Sequence, residues 1–303
     1  MLRIATRKSP LALQQAKLVA AKLQNNWPDL EVSLVPMTTS GDKFLDTKLL
    51  SVGGKGLFVK ELELALQAHH ADIAVHSMKD VPAQLPAGLT IDTICKRDNP
   101  LDAFLSTRYP SIDSLDKHCS IGTSSLRRQA QLLAYRPDIR VEMLRGNINT
   151  RLEKLHNHQF DAIILACAGL ERMDLHEQIT QPLSPTIMLP ACGQGAIGIE
   201  CRANDEYVKH LISGLNCVET ALCVKIEREV NKLLGGHCHA PIAIFAHFTD
   251  AQTINLETRV YNHNGVKKLL WKQSFSSQDA SKYATICAEE LLGQGALDLI
   301  NYA

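Results

Sequence analysis

Ala71-Asp-Ile-Ala-Val-His-Ser-Met-Lys-Asp-Val-Pro82 reads as a buried strand that stops abruptly in a polar turn. Asp72 to Val75 carries β-branched and small apolar residues, a run suited to a strand interior. His76, Ser77, Met78, Lys79 and Asp80 follow. Pro82 lacks an N–H and biases Val81 away from helix, so the chain must turn here. A strand ending in Ser77, Lys79 and Asp80 presents them at a sheet's carboxyl edge, where open α/β folds bind ligands. A capped loop with a surface Lys–Asp pair accounts for the same residues, and the local sequence leaves both readings open.

Working outward, Leu2–Thr6 predicts a strand, Ser9-Pro10 the cap and first residue of a helix, and Glu31–Val35 a second strand. Leu11, Leu13, Leu18, Val19 and Leu23 are the expected apolar face of that helix. Thr38 to Gly56 is a long polar segment with Gly53, Gly54 and Gly56, expected to form a functional lid. Its spacing fits neither common nucleotide-binding glycine motif. A helix is expected over Leu57–Ala68. Strands at Leu89–Ile94 and Ala103–Leu105 precede a second β-α series: strand Ser120–Gly122, helix Ser125–Tyr135, strand Arg140–Met143, helix Asn149–His156 and strand Ala162–Leu165. Ala196–Cys201 reads as a strand returning to the first lobe. Two similar doubly wound lobes follow from this order.

The last third changes character. Asn216-Cys-Val-Glu219 resembles a capping box for a helix reaching Leu234. Strands at Ile242–Phe248, Thr253–Tyr261 and Lys267–Phe275 follow, with a hairpin turn at Asn262–Gly265 and a closing helix over Ser277–Gly293. This is the pattern of a small α+β domain. The expected division is therefore 1–95 with 196–215, then 100–190, then 216–303.

The 303 residues carry 32 Lys+Arg and 32 Asp+Glu, a formal net charge of zero, so no basic excess marks a nucleic-acid-coating protein. No apolar run approaches membrane-spanning length, and the amino terminus lacks a signal-peptide core. Nine cysteines without a C-x-x-C pair read as reduced thiols of a cytosolic protein.

Two segments look built for anions. Gly122-Thr-Ser-Ser-Leu-Arg-Arg128 is a hydroxyl-rich turn entering a helix, and Leu144-Arg-Gly-Asn-Ile-Asn-Thr-Arg151 repeats the device. Arg127 and Arg128 add guanidinium forks, with Arg7 and Lys79 approaching the same cleft from the first lobe. Helix capping with solvated arginines explains either segment alone; two at equivalent edges favour a polyanionic ligand. Cys238, in Gly235-Gly-His-Cys-His-Ala-Pro241, sits in a glycine turn between imidazoles and is a candidate nucleophile or attachment point. A metal reading of His237-Cys238-His239 ranks below it, because no zinc spacing accompanies the triplet.

Val75–Pro82, Gly53–Phe58, Gly122–Arg128, Leu144–Asn147, Pro190–Ala196 and Gly235–Pro241, in that order, resemble the hydroxymethylbilane synthase (porphobilinogen deaminase) family. The resemblance implies periplasmic-binding-protein-like lobes plus the α+β domain. It also implies a dipyrromethane cofactor bound covalently through Cys238, and no metal. The implied reaction is stepwise condensation of four porphobilinogens with loss of ammonia, then hydrolysis to linear hydroxymethylbilane, in tetrapyrrole biosynthesis. Asp80 matches the catalytic aspartate, which stabilises an electron-poor azafulvene. Lys79, Asp80, Thr123, Ser125, Arg127, Arg128, Arg145 and Gly146 match cofactor binders. Arg7, Ser9, Lys55, Arg145, Arg151 and Arg172 match substrate binders. A cytoplasmic monomer without nucleic-acid or membrane partners is implied as well. Two departures are His237, where the family commonly has glycine, and Ser51, where the lid often carries lysine. The rival reading is a two-lobed anion-binding protein without catalysis, which leaves the third domain and Cys238 unexplained.

Overall fold

The computed structural model describes residues 1–43, 56–236 and 240–301. The chain divides into two compact units, Met1–Asp98 with Ala196–Ala221, and Asn99–Gly195 with Leu222–Ala303. Among the described residues, no helix is long and apolar enough to cross a membrane.

Unit 1 is built on β1 (Leu2–Arg7), β2 (Val32–Met37), β3 (Ile73–Ser77), β4 (Leu89–Ile94) and the returning β10 (Ile197–Arg202), in the order β2-β1-β3-β10-β4. The first three are parallel, whereas β10 runs antiparallel to both neighbours. Helix α1 (Pro10–Asn26) starts where Ser9 accepts a hydrogen bond from Ala12 N–H at 3.4 Å. Its buried face is Gln15, Ala16, Val19 and Leu23, while Leu18 is exposed. Of the expected apolar face, Val19 and Leu23 are buried, Leu11 and Leu13 half-buried and Leu18 exposed, and Gln15 is buried as well, its amide nitrogen 2.9 Å from the Ser77 hydroxyl. Short α2 (Ser40–Lys43) and then α3 (Lys60–Gln67) follow, the latter three residues later than its apolar pattern predicts. Leu62 and Leu66 of α3 pack with Ala5 and Ala74 on one sheet face; Val19 and Leu23 of α1 pack with Ile73, Val75 and Ile199 on the other. Helix α7 (Glu206–Ser213), capped by Asp205, joins the second layer.

Unit 2 repeats the plan with β5 (Asp102–Leu105), β6 (Ser120–Gly122), β7 (Arg140–Glu142), β8 (Ala162–Ala166) and β9 (Gln181–Leu183), ordered β7-β6-β8-β5-β9. Here β5, like β10 in unit 1, is the strand that follows a crossing between units and runs antiparallel to its neighbours. Helices α4 (Leu126–Tyr135), α5 (Ile148–His156) and α6 (Cys167–Glu171) follow β6, β7 and β8. Unit 2 also holds most of α8 (Val218–Leu233) and the antiparallel sheet β11 (Ile242–Phe248), β12 (Thr253–Tyr261) and β13 (Lys268–Ser276). Helices α9 (Ala280–Gly293) and α10 (Ala296–Asn301) close one apolar core with Ile226, Val230 and Trp271. Asn216 does not cap α8 as its sequence suggests; its side-chain Oδ1 accepts from Ile94 N–H at 2.9 Å and ties β4 instead. The hairpin at Asn262–Gly265 does form, with Gly265 N–H on Asn262 C=O at 3.0 Å.

Candidate active site

Because β1, β2 and β3 are parallel, their carboxyl ends share one edge of the unit 1 sheet, and Arg7, Ser77, Lys79 and Asp80 lie there. The turn Met78–Asp80 is a single 3-10 turn pinned from several sides. Met78 N–H donates to Ala196 C=O at 3.0 Å, and Val81 N–H to Met78 C=O at 3.3 Å. Ser77 bonds the Gln15 amide of α1. The Met78 thioether occupies the space above Gly198, where any Cβ would collide with its sulfur. Among the described residues, no ion pair or hydrogen bond engages the Asp80 carboxylate, and the residue is partly exposed. The Arg7 guanidinium stacks 4.4 Å from the Phe58 ring centroid, which fixes its head group while leaving its charge in place. Ser9 serves as the α1 cap.

In unit 2 the same edge, at the ends of parallel β6, β7 and β8, gathers the second set. Thr123 is buried and accepts from Ser125 N–H at 3.2 Å; Ser125 caps α4 through Arg128 N–H. Arg127 and Arg128 are not solvated forks at a helix start. They are 4% and 6% exposed and converge on Asp102, itself fully buried. Arg127 reaches its two carboxylate oxygens at 2.8 and 3.1 Å and Leu189 C=O at 2.6 Å. Arg128 meets Asp102 at 2.7 and 2.9 Å and Ile164 C=O at 2.9 Å. Burial lowers the Arg128 pKa, Asp102 opposes that shift, and the adjacent Arg127 adds to it. Two guanidiniums facing one carboxylate leave a surplus positive charge in a region of low dielectric.

Gly146 has φ +115°, and a Cβ there would press on Thr150, so the turn after β7 demands glycine. Its carbonyl accepts from Arg151 Nε at 2.8 Å, while the Arg145 carbonyl accepts from Lys154 at 3.3 Å. Arg172 donates to Gly195 C=O at 2.6 Å. Lys55, Ser51, His237, Cys238 and most of the expected lid lie outside the described residues.

Sequence reading missed Asp102, which opens the short strand β5 and signals its role only by being a carboxylate amid apolar residues. It also missed what Pro190–Ala196 does. Gln194 donates to Asp102 at 3.2 Å and to Pro100 C=O at 2.7 Å, and Gly193 N–H is held by buried Glu227 of α8 at 2.7 Å. The glycine-rich loop therefore buttresses the arginine cluster. Three other thiols are poor nucleophiles: burial raises Cys167 and Cys287 to about 12 and Cys201 to about 11.

Two α/β sheets, each with cations and hydroxyls along the carboxyl edge of its parallel strands, define a two-lobed α/β protein. Residues 2–210 match the family model described as porphobilinogen deaminase, dipyromethane cofactor binding domain, and residues 221–293 match its C-terminal domain. The chain belongs to the porphobilinogen deaminase family. Porphobilinogen deaminase of Legionella pneumophila strain Paris is 53% identical over 301 residues, 99% of this chain and 97% of that protein. The strain Philadelphia 1 protein is 52% identical with the same coverage. Among solved structures, a nutrient binding protein of Burkholderia cenocepacia bound to methionine overlays with TM-score 0.43 at 14% identity, over 77% of this chain and 96% of that one. A periplasmic substrate-binding protein of Coxiella burnetii gives TM-score 0.43 at 13% identity, over 75% and 97%.

Proposed function

We propose that this chain is a hydroxymethylbilane synthase, a transferase of tetrapyrrole biosynthesis that joins four porphobilinogens head to tail and then hydrolyses the product from the enzyme. The observation that carries the reading is the family match running through both the 2–210 and 221–293 segments. The surplus positive charge on the Asp102–Arg127–Arg128 cluster supports it, since every pyrrole of the substrate brings two carboxylates.

When bound through Cys238, a dipyrromethane supplies the terminal pyrrole carbon to which the first substrate is joined. Each round breaks the carbon–nitrogen bond of the porphobilinogen aminomethyl group and forms a carbon–carbon bond. Ammonia leaves, and a proton is lost from the accepting ring. As ammonia departs, positive charge spreads onto the pyrrole nitrogen. Asp80, rigidly held and free of a competing cation among the described residues, stabilises that charge electrostatically. Thr123, Ser125, Arg127, Arg128, Arg145 and Gly146 would hold the cofactor carboxylates, together with Lys79. Arg7, Ser9, Lys55, Arg145, Arg151 and Arg172 would receive those of the incoming substrate. The reading includes three domains (1–95 with 196–215, 100–190, and 216–303) and a cytoplasmic monomer, which sedimentation would test.

The test is an intact-protein mass. Purified chain is expected to be heavier than its sequence by one dipyrrole, mapped to the peptide containing Cys238 and absent from Cys238→Ala, and to release one ammonia per porphobilinogen consumed. Unmodified chain that still turns over would overturn the attachment; modified chain that only binds would favour the non-catalytic reading.

A further inference from the structure

The imidazole of His76 belongs to the turn-bearing strand, yet the chemistry above gives it nothing to do. It is 5% exposed, and its Nε2 lies 2.8 Å from Oε2 of Glu200, which is 1% exposed. Buried ionisable pairs are costly to desolvate and are a weak source of stability, so one placed directly behind an active turn invites another role.

The register supplies it. His76 lies opposite Gly198 and Ala74 opposite Glu200, so both polar side chains stand on the face covered by α3, from which Glu63 also descends. Glu63 is 9% exposed and its acid is raised, first by burial, then by the charge of Glu200, with His76 acting the other way. Gly198, across from His76, is the seat of the Met78 thioether, and Ala196, two residues earlier, accepts Met78 N–H. Asp80 is two residues beyond Met78. Any shift of β10 against β3 at the His76–Glu200 bridge therefore moves the support of the Asp80 turn.

We propose that the His76–Glu200 pair is a positioning element for Asp80, locking β3 to β10 in the register that aims the Met78–Asp80 turn. The proposal rests on the synthase reading and deepens it. A misplacement of about 1 Å at a reacting group is enough to lose up to about 100-fold in rate.

The experiment measures kcat and KM for porphobilinogen, together with melting temperature and the mass added at Cys238, in His76→Leu, His76→Gln and Glu200→Gln. Leu removes the bridge. Gln at 76 keeps a donor near the Nε2 position, and Gln at 200 keeps shape without charge. His76→Leu and Glu200→Gln are expected to carry the cofactor mass and lose at least about tenfold in kcat, with KM within about twofold. His76→Gln is expected to recover most of the loss. In an Asp80→Asn background His76→Leu is expected to cost nothing further, because the pair acts through Asp80. Equal losses in both backgrounds, unchanged kcat, or a rise in KM alone would overturn the proposal. If His76→Leu fails to fold, the near-isosteric Glu200→Gln decides the matter by the same criteria. Wild-type chain that releases no ammonia would overturn the synthase reading and this role with it, a result distinct from active wild type with unaffected variants.

Discussion

Asp80 sits at the end of a turn whose neighbours are anchored to β10, to α1 and to its own first residue, so its carboxylate is displayed on fixed backbone. Such preorganisation is what electrostatic stabilisation of a developing cation requires. Asp80→Asn keeps shape and is expected to fold and carry its cofactor, while single-turnover ammonia release falls by about 100-fold or more. Near-normal release would reduce Asp80 to a loop residue. Glu63 is a different kind of carboxyl. Its folded pKa is raised by burial and by Glu200, so the folded state holds its proton more tightly than the unfolded chain does. That stability is fully present below the unfolded pKa, near 4.5, and is lost as pH rises through the raised folded value. Glu63→Gln removes the penalty of ionisation, so its melting temperature relative to wild type is expected to rise between pH 4 and pH 7. A difference that is flat or falls with pH would contradict the assignment.

At the scale of elements, α4 turns Arg127 and Arg128 inward onto Asp102 rather than out to solvent. A polar turn followed by two arginines is equally consistent with a solvated cap, and the choice is made by a partner 25 residues upstream, Asp102 on β5. Arg128 spends Nε and Nη2 on Asp102 and Nη1 on Ile164 C=O, a set that a single ammonium cannot match. Arg128→Lys is therefore expected to lose about 2 kcal/mol of stability in urea unfolding. Its load at Cys238, read by mass, is expected to fall as well. Wild-type values for both would mean the fork is dispensable. The hairpin tip shows the same dependence on a distant surface. Gly265, at φ +72°, lies against the α4 backbone at Ala130, so its glycine answers to packing as well as to turn type.

For the whole molecule the decisive fact is that unit 1 is discontinuous and its late strand is internal, β10 lying between β3 and β4. A fragment of residues 1–98 thus leaves β4 without a partner and removes both Glu200 and the Ala196 acceptor of the turn. It is expected to show little native far-UV circular dichroism alone and to gain it when a 196–221 peptide is added; a cooperative melt from the fragment by itself would refute this dependence. The sequence alone determined the order of elements, the two lobes and the turn-borne Asp80, because hydrophobic period, proline and helix caps are local signals. It located Arg127, Arg128 and Arg145 just past strand ends for the same reason, whereas Arg172, expected only from the family resemblance, is the C-terminal cap of α6. Short α6, β9, α7 and α10 escaped it, since so few residues carry little periodicity. What only the tertiary structure decided was direction and partnership: β5 and β10 antiparallel, Asn216 tying β4, Gln15 buried against Ser77, and Asp102 shared by two arginines. Each depends on groups brought together across 25 to more than 100 residues of chain, and neither strand polarity nor a buried charge's partner leaves a trace in local composition.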